Sequence, residues 1–242
     1  AVDHLHRGEV LAAEADAQRR VHSIDIRNSG FIQPGMFYRW QHCSDLRAVR
    51  IRNCGGIDVA DLCRLLAGNR VESLDISGTK CGGERTAEQI PNVECLSRVD
   101  VSETGIGNRA VAVLLSAPKL RSIDLSGNPI TAEGFQRIEK CSYLERIIMR
   151  GLITDDRAVE QLARCKALIA LDLQGSPRVS EASMRKVLGI PTLEELNLSR
   201  CTALTSEAGL AIAGHSSIRD LVADDSKLVD DSVLQAIGQQ SK

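Results

Sequence analysis

The sequence predicts an α/β solenoid of about nine repeats, with a parallel β-sheet on a concave inner wall and helices on a convex outer wall. Three observations carry this prediction. The first is a strict internal period: the segments VHSIDI at 21, LRAVRI at 46, VESLDI at 71, LSRVDV at 96, LRSIDL at 120, LERIIM at 144, LIALDL at 168, LEELNL at 193 and IRDLVA at 218 start 25, 25, 25, 24, 24, 24, 25 and 25 residues apart. The second is their pattern. The first, fourth and sixth places are apolar in all nine, 27 of 27, which a chain 43% hydrophobic gives by chance about once in ten billion trials. The third is the scarcity of aromatic residues, 2% of 242, which demands an aliphatic interior.

Each element follows in chain order. Residues 1–20, with Leu5, Val10, Leu11 and several alanines, predict a helical cap over the first end of the stack. Residues 21–242 form the repeat domain, with strands near 21–26, 46–51, 71–76, 96–101, 120–125, 144–149, 168–173, 193–198 and 218–223. After each strand come a turn and then apolar residues three or four apart. Leu62 with Leu65 or Leu66, Phe135 with Ile138, Val159 with Leu162, Met184 with Val187, and Val233 with Ile237 have the spacing of a helix with one buried face. Asp58, Thr131, Asp155, Ser180, Thr205 and Asp230 stand where N-caps are needed. Nine strands about 4.8 Å apart give an inner wall about 40 Å long. An open solenoid exposes a strand edge at each end, and the acidic last repeat, with Asp224, Asp225, Asp230 and Asp231, is expected to blunt the second one.

The pattern L-x-x-L-x-L followed by a small, Asn or Cys residue, as in LRSIDLSGN at 120–128 and LEELNLSRC at 193–201, resembles the leucine-rich repeat over residues 21–242. The likeness is nearest to the ribonuclease-inhibitor-like and cysteine-containing subtypes, whose helices end in Cys-x-x-Leu; here these are Cys43 to Leu46, Cys141 to Leu144 and Cys165 to Leu168. Gly68, Val93, Ala117, Ile190 and His215 hold that place elsewhere. The resemblance implies a non-enzymatic scaffold that binds a protein partner, within a larger complex in some relatives. It also implies two narrower roles. Substrate receptors of ubiquitin ligases place an F-box segment before such an array, and residues 1–20 are too short for one, so that role requires an N-terminal extension. GTPase-activating proteins of this kind need an exposed Arg and Asn pair, which the sequence does not single out.

Composition excludes other classes. Thirty basic against 32 acidic side chains leave a net charge of −2, too little for a general nucleic-acid binder. No stretch approaches the roughly 20 apolar residues of a membrane span, and residues 1–20 are too charged for a signal peptide. Phosphate-loop and nucleophile-elbow motifs are absent, so no enzyme activity and no cofactor are expected. His4 and His6 near Asp3 and Glu9 have no further ligand nearby in sequence, and no metal is expected.

The eight cysteines form no Cys-x-x-Cys, and five fall on repeat-defined places: Cys43, Cys141 and Cys165 at helix ends, Cys54 and Cys201 at the turn after a strand. They read as small buried thiols suited to a reducing intracellular compartment, the cytoplasm above all. Cys81, in the Gly-rich turn KCGGE, is expected to be the exposed one. Phe31, Phe37, Tyr38 and Trp40 are four of six aromatics, expected to seal the first end of the core.

The candidate binding surface is the inner wall. Strand side chains alternate, so places four and six enter the core while three, five and seven face the concavity. Place five reads Asp25, Arg50, Asp75, Asp100, Asp124, Ile148, Asp172, Asn197 and Val222. Stacked carboxylates repel and favour a cation between them, from a neighbouring Arg or from a partner. Charge is also polarised, with Arg27, Arg47, Arg50 and Arg52 on the first two strands and Glu194, Glu195, Asp220 and Asp224 on the last two. Between the poles, Ile148, Ile169 and Ala170 form an apolar patch flanked by Arg146 and Arg150. The expected partner-binding residues are Arg27, Arg50, Arg52, Asp75, Arg98, Asp100, Asp124, Arg146, Ile148, Arg150, Ile169 and Asp172.

Overall fold

The computed structural model describes residues 10–15, 20–30, 32, 37, 43–57, 59–81, 93–152 and 155–240. One open sheet holds ten strands in chain order: β1 (Val10–Ala15), β2 (Val21–Arg27), β3 (Ala48–Arg52), β4 (Ser73–Asp75), β5 (Arg98–Asp100), β6 (Ser122–Asp124), β7 (Arg146–Ile148), β8 (Ala170–Asp172), β9 (Glu195–Asn197) and β10 (Asp220–Val222). The nine strands from β2 on are parallel and match the nine sequence segments. Their register pairs like places: Asp25 faces Arg50, Arg50 faces Asp75, Asp75 faces Asp100 and Asp100 faces Asp124. The repeat therefore stacks without slippage, as burial of one face requires.

Residues 10–15 correct one expectation. They form β1, antiparallel to β2 with Leu11 opposite Ile26, and not part of a helical cap. The first edge of a parallel stack offers unpaired N–H and C=O groups, and a strand satisfies them where a helix does not. The remainder of the expected cap lies outside the described residues.

Behind the strands lie α1 (Val59–Ala67), α2 (Asn108–Leu114), α3 (Asp156–Leu162), α4 (Glu181–Val187), α5 (Ser206–Ala213) and α6 (Asp231–Gln240). The 120–143 repeat departs from α-helix and uses two 3-10 turns, Ala132–Phe135 and Ile138–Lys140, which still bury Phe135 and Ile138 completely. Caps hold at Thr131, Asp155 and Thr205, which accept from the N–H groups of Glu133, Ala158 and Glu207, and Asp230 accepts from Val233. Ser180 makes no cap bond; its hydroxyl donates to Asp156 at 2.7 Å instead. Asp58 lies outside the described residues. Close packing of α5 on the last turn requires Gly209, where a Cβ would overlap the Leu228 carbonyl oxygen.

Two further places of the repeat acquire physical reasons. Place eight has positive φ in all nine repeats, at Asn28, Asn53, Gly78, Glu103, Gly127, Gly151, Gly175, Arg200 and Asp225, so each strand leaves the sheet through a left-handed residue. Place nine is buried in the first eight repeats, and several of its members bond to main-chain carbonyls. Thr79 donates to Ile51 at 2.9 Å, Thr104 to Val101 at 2.7 Å, Asn128 to Val101 at 2.8 Å and the Cys201 thiol to Leu173 at 3.2 Å. The helix-end thiols act alike, Cys141 donating to Leu115 and Cys165 to Ile138. Burial pushes the Cys141 thiol up to about 11 and Cys165 up to about 12. Cys81 is buried too, 5% exposed and pushed up to about 11, which corrects the expectation that it is the exposed thiol; its side chain joins the core. Half-buried Cys43 and Cys95 are the more accessible ones. Phe37 enters the core, while Phe31, Tyr38 and Trp40 lie outside the described residues.

Candidate functional site: the inner wall of the sheet

Strand alternation positions the side chains of the candidate surface at places three, five and seven; Ile169, at place two, lies just before β8. The buried middle residue of each three-residue strand from β4 to β9, such as Ile147 or Leu171, leaves its two neighbours on the side of the wall. Place five is shaped first by a local demand. Its carboxylate accepts the N–H two residues on: Asp75 from Ser77 at 3.2 Å, Asp100 from Ser102 at 3.0 Å, Asp124 from Ser126 at 2.9 Å and Asp172 from Gln174 at 3.0 Å. Asn197 accepts from Ser199 at 3.0 Å in the same way. Recurrent Asp at this place thus closes the turn, as Asx residues do.

Cations then divide the row. Arg27 pairs with Asp25 at 2.6 Å, and this hydrogen bond holds the Asp25 carboxyl below its ordinary value. Arg52 reaches Asp75 at 2.5 Å, and Arg150 reaches Asp172 at 2.7 Å, each from the strand before. Asp100 and Asp124 have no ion-pair partner among the described residues. Burial raises the Asp100 carboxyl above its ordinary value, Asp124 and Asp75 add to this, and the Ser102 hydroxyl and N–H oppose it. Arg50 lies near Asp25 without a direct bond, and Arg98 stands exposed on β5.

The expected apolar patch proves to be split between two shallow depressions. One, of 210 Å³, has Ile148, Ala170 and Val222 among its walls, with Arg146, Arg150, Asp172, Glu195, Asn197 and Asp220 around them. The other, of 240 Å³, lies toward the strand starts and takes Ile169 with Arg98, Arg121, Ser122, Glu145 and Arg146. Val222, 44% exposed, is the residue that sequence reasoning left out of the patch. Its signal was present, since it shares place five with Ile148. Around the first depression four of the charges are neutralised in pairs, Arg150 with Asp172 and Arg146 with Glu195 at 2.7 Å across two strands, while Asp220 has no ion-pair partner among the described residues. Arg27, Arg50, Arg52 and Asp75 stand apart, at the other end of the wall. Among the described residues no group of His, Cys, Asp and Glu is arranged to hold a metal ion, and no helix is long and apolar enough to cross a membrane.

Comparison with known proteins agrees with this architecture. The family model described as Leucine Rich repeat matches residues 116–138 and 189–213. Similar solved structures include internalin C2 of Listeria monocytogenes, 15% identical, covering 90% of this chain and 77% of that one with a TM-score of 0.58. Internalin inlF of the same organism is 13% identical, covering 90% and 71%, at 0.54. A structure of the yeast Rad7 and Elc1 complex is 17% identical, with a TM-score of 0.68; the match covers 90% of this chain and 60% of that chain's length. Such identities establish the fold and nothing further. By its period, its parallel sheet and these likenesses, the chain is a leucine-rich repeat solenoid in fold.

Proposed function

We propose that the chain is a protein-interaction module that takes its partner on the inner wall, over the depression between β7 and β10. One observation carries the reading: Ile148, Ala170 and Val222 line one depression of a charged wall, and four of the charges around them are already paired, Arg150 with Asp172 and Arg146 with Glu195. A partner covering this place buries apolar surface among paired charges and meets one carboxylate, Asp220, that has no cation partner among the described residues, the arrangement of an interface centre with a polar rim. The repeat fold supports it, because its outward strand places are free of packing demands. The yeast neighbour was crystallised as a complex with a second protein, which accords with this use of the fold. The Cys-x-x-Leu helix ends, with buried thiols bonded to the preceding repeat, support the cysteine-containing subtype.

The test is a titration. A partner captured from an extract of the source cells, purified and titrated, should lose tenfold or more in affinity against Ile148→Glu, a cost of about 1.4 kcal/mol or more. Leu210→Glu, on the exposed outer face of α5, should change nothing. The opposite pattern would move the site to the helical wall.

A further inference from the structure

The second depression of the inner wall, at the starts of β5 to β7, shares only Arg146 with the first. Three arginines line it, Arg98, Arg121 and Arg146, and Glu145 is the one acidic side chain among its walls, so the lining carries a formal charge of +2. Register places them. Arg98 pairs with Ser122, and Ser122 pairs with Arg146, so two long basic side chains rise from strands about 10 Å apart with a short hydroxyl between them, over a hollow of 240 Å³.

The fold commits these donors unequally. Arg146 reaches Glu195 in the first depression, and Arg121 pairs with Glu145 while its guanidinium lies 5.9 Å from the centre of the exposed Tyr143 ring. The Arg98 side chain is exposed and has no ion-pair or hydrogen-bond partner among the described residues, and neither have the Ser97 and Ser122 hydroxyls. Acceptors, in contrast, are occupied: the carbonyls of Ser97, Arg121 and Glu145 each accept two N–H groups from the next repeat, at 2.8–3.1 Å. The hollow thus presents free donors beside a carboxylate that is already engaged. Even with Glu195 counted, its charge stays positive, and Arg98 is the uncompensated cation.

We propose that this depression binds the phosphate group of a phosphorylated side chain on the partner protein. The choice of a protein as carrier rests on the interaction reading above; the anion site itself rests on Arg98, Arg121 and the two hydroxyls. A phosphate monoester carries nearly two negative charges at neutral pH and three acceptor oxygens, which suits a basic hollow whose donors come from three successive repeats. Guanidinium forks engage such oxygens in pairs, and the serine hydroxyls supply further donors from the floor. A carboxylate brings one charge and two oxygens, and Arg121 already has one in Glu145. Arg146 joins the two depressions, so a partner segment laid over Ile148 continues past it into this one.

The experiment titrates the whole isotope-labelled chain, followed by NMR, with a capped peptide Ala-Leu-phosphoserine-Leu-Ala, with its serine and glutamate forms, with inorganic phosphate and with an oligothymidylate. The phosphopeptide should bind about tenfold or more tightly than either other peptide and shift the Arg98, Arg121 and Ser122 signals first. Arg98→Ala should weaken it about fivefold or more and Arg98→Lys by less, with thermal melts unchanged because Arg98 holds no other side chain. Val222→Ala, which alters only the first depression, should leave it unchanged. Equal binding of the glutamate or serine peptide overturns the proposal, as does indifference to both Arg98 variants or loss of binding in Val222→Ala. Inorganic phosphate or the oligothymidylate binding as tightly as the phosphopeptide overturns the choice of a phosphorylated protein. The two readings fail separately: phosphopeptide binding with a partner indifferent to Ile148→Glu sinks only the apolar site, and the reverse result sinks only this one.

Discussion

The last repeat and the repeats inside the stack share one sequence pattern but not one environment. Leu171 and Leu221 hold the same place, yet the first is 1% exposed and the second only partly buried. The helix facing β10 shows the same contrast, with Val233 buried and Ile237 43% exposed, against the expectation that both face the core. A repeat buries its apolar face against two neighbours, so the same side chain is worth less where the described residues supply only one. Position in the stack, and not residue type, sets its contribution.

Truncation gives the largest test of this contrast. Leu171→Ala should lower stability by about 2–5 kcal/mol through lost burial and a cavity, whereas Leu221→Ala should cost about 1 kcal/mol. Chemical denaturation measures both, and equal losses would break the comparison.

Thiol chemistry repeats it at one place. Cys43, Cys141 and Cys165 occupy equivalent helix ends, but only Cys43, in the first repeat, is half-buried. With Cys141 and Cys165 pushed up to about 11 and about 12, their thiolate fraction at neutral pH falls by roughly a hundredfold or more, before burial blocks access as well. A labelling time course on native protein should modify Cys43 and Cys95 first and leave Cys81, Cys141 and Cys165 until unfolding. Early labelling of Cys81 would contradict its buried place.

Turns offer a smaller contrast. Gly151→Ala meets open space and should cost about 1 kcal/mol for its left-handed backbone alone. Gly78→Ala carries the same strain and also overlaps the Asn53 side chain, which must leave its hydrogen bond to Asn28, so about 1 kcal/mol more is expected. Thermal melts of the two variants should keep that order.

The smallest effect concerns charge. Asp100→Asn keeps an acceptor for Ser102, as Asn197 does for Ser199, and removes a carboxylate flanked by Asp75 and Asp124. It should stabilise the chain by about 0.5 kcal/mol at neutral pH. The folded state raises this carboxyl, so protonation favours folding, and the advantage of the variant should shrink as pH falls through the raised value. Asp25 runs the other way. Its folded value is lowered, so its contribution is present above the ordinary carboxylate range and is lost as pH falls through the depressed one.

Sequence alone determined the period, the parallel stack and the side of the wall on which each strand residue stands, because core and surface alternate within six-residue segments whose spacing repeats. It also located Ile148, Arg150 and Asp172 on one face. Only the tertiary structure decided which charges meet: Arg150 finds Asp172 22 residues on, and Arg146 finds Glu195 49 residues on, distances that depend on register and side-chain reach. It likewise made residues 10–15 a strand and placed Cys81 inside. The physical reason is common to these cases. A local pattern encodes what one repeat must bury, whereas the ends of the stack and the pairing of its exposed charges are settled by what lies alongside, and that neighbour is one or more repeats away in the chain.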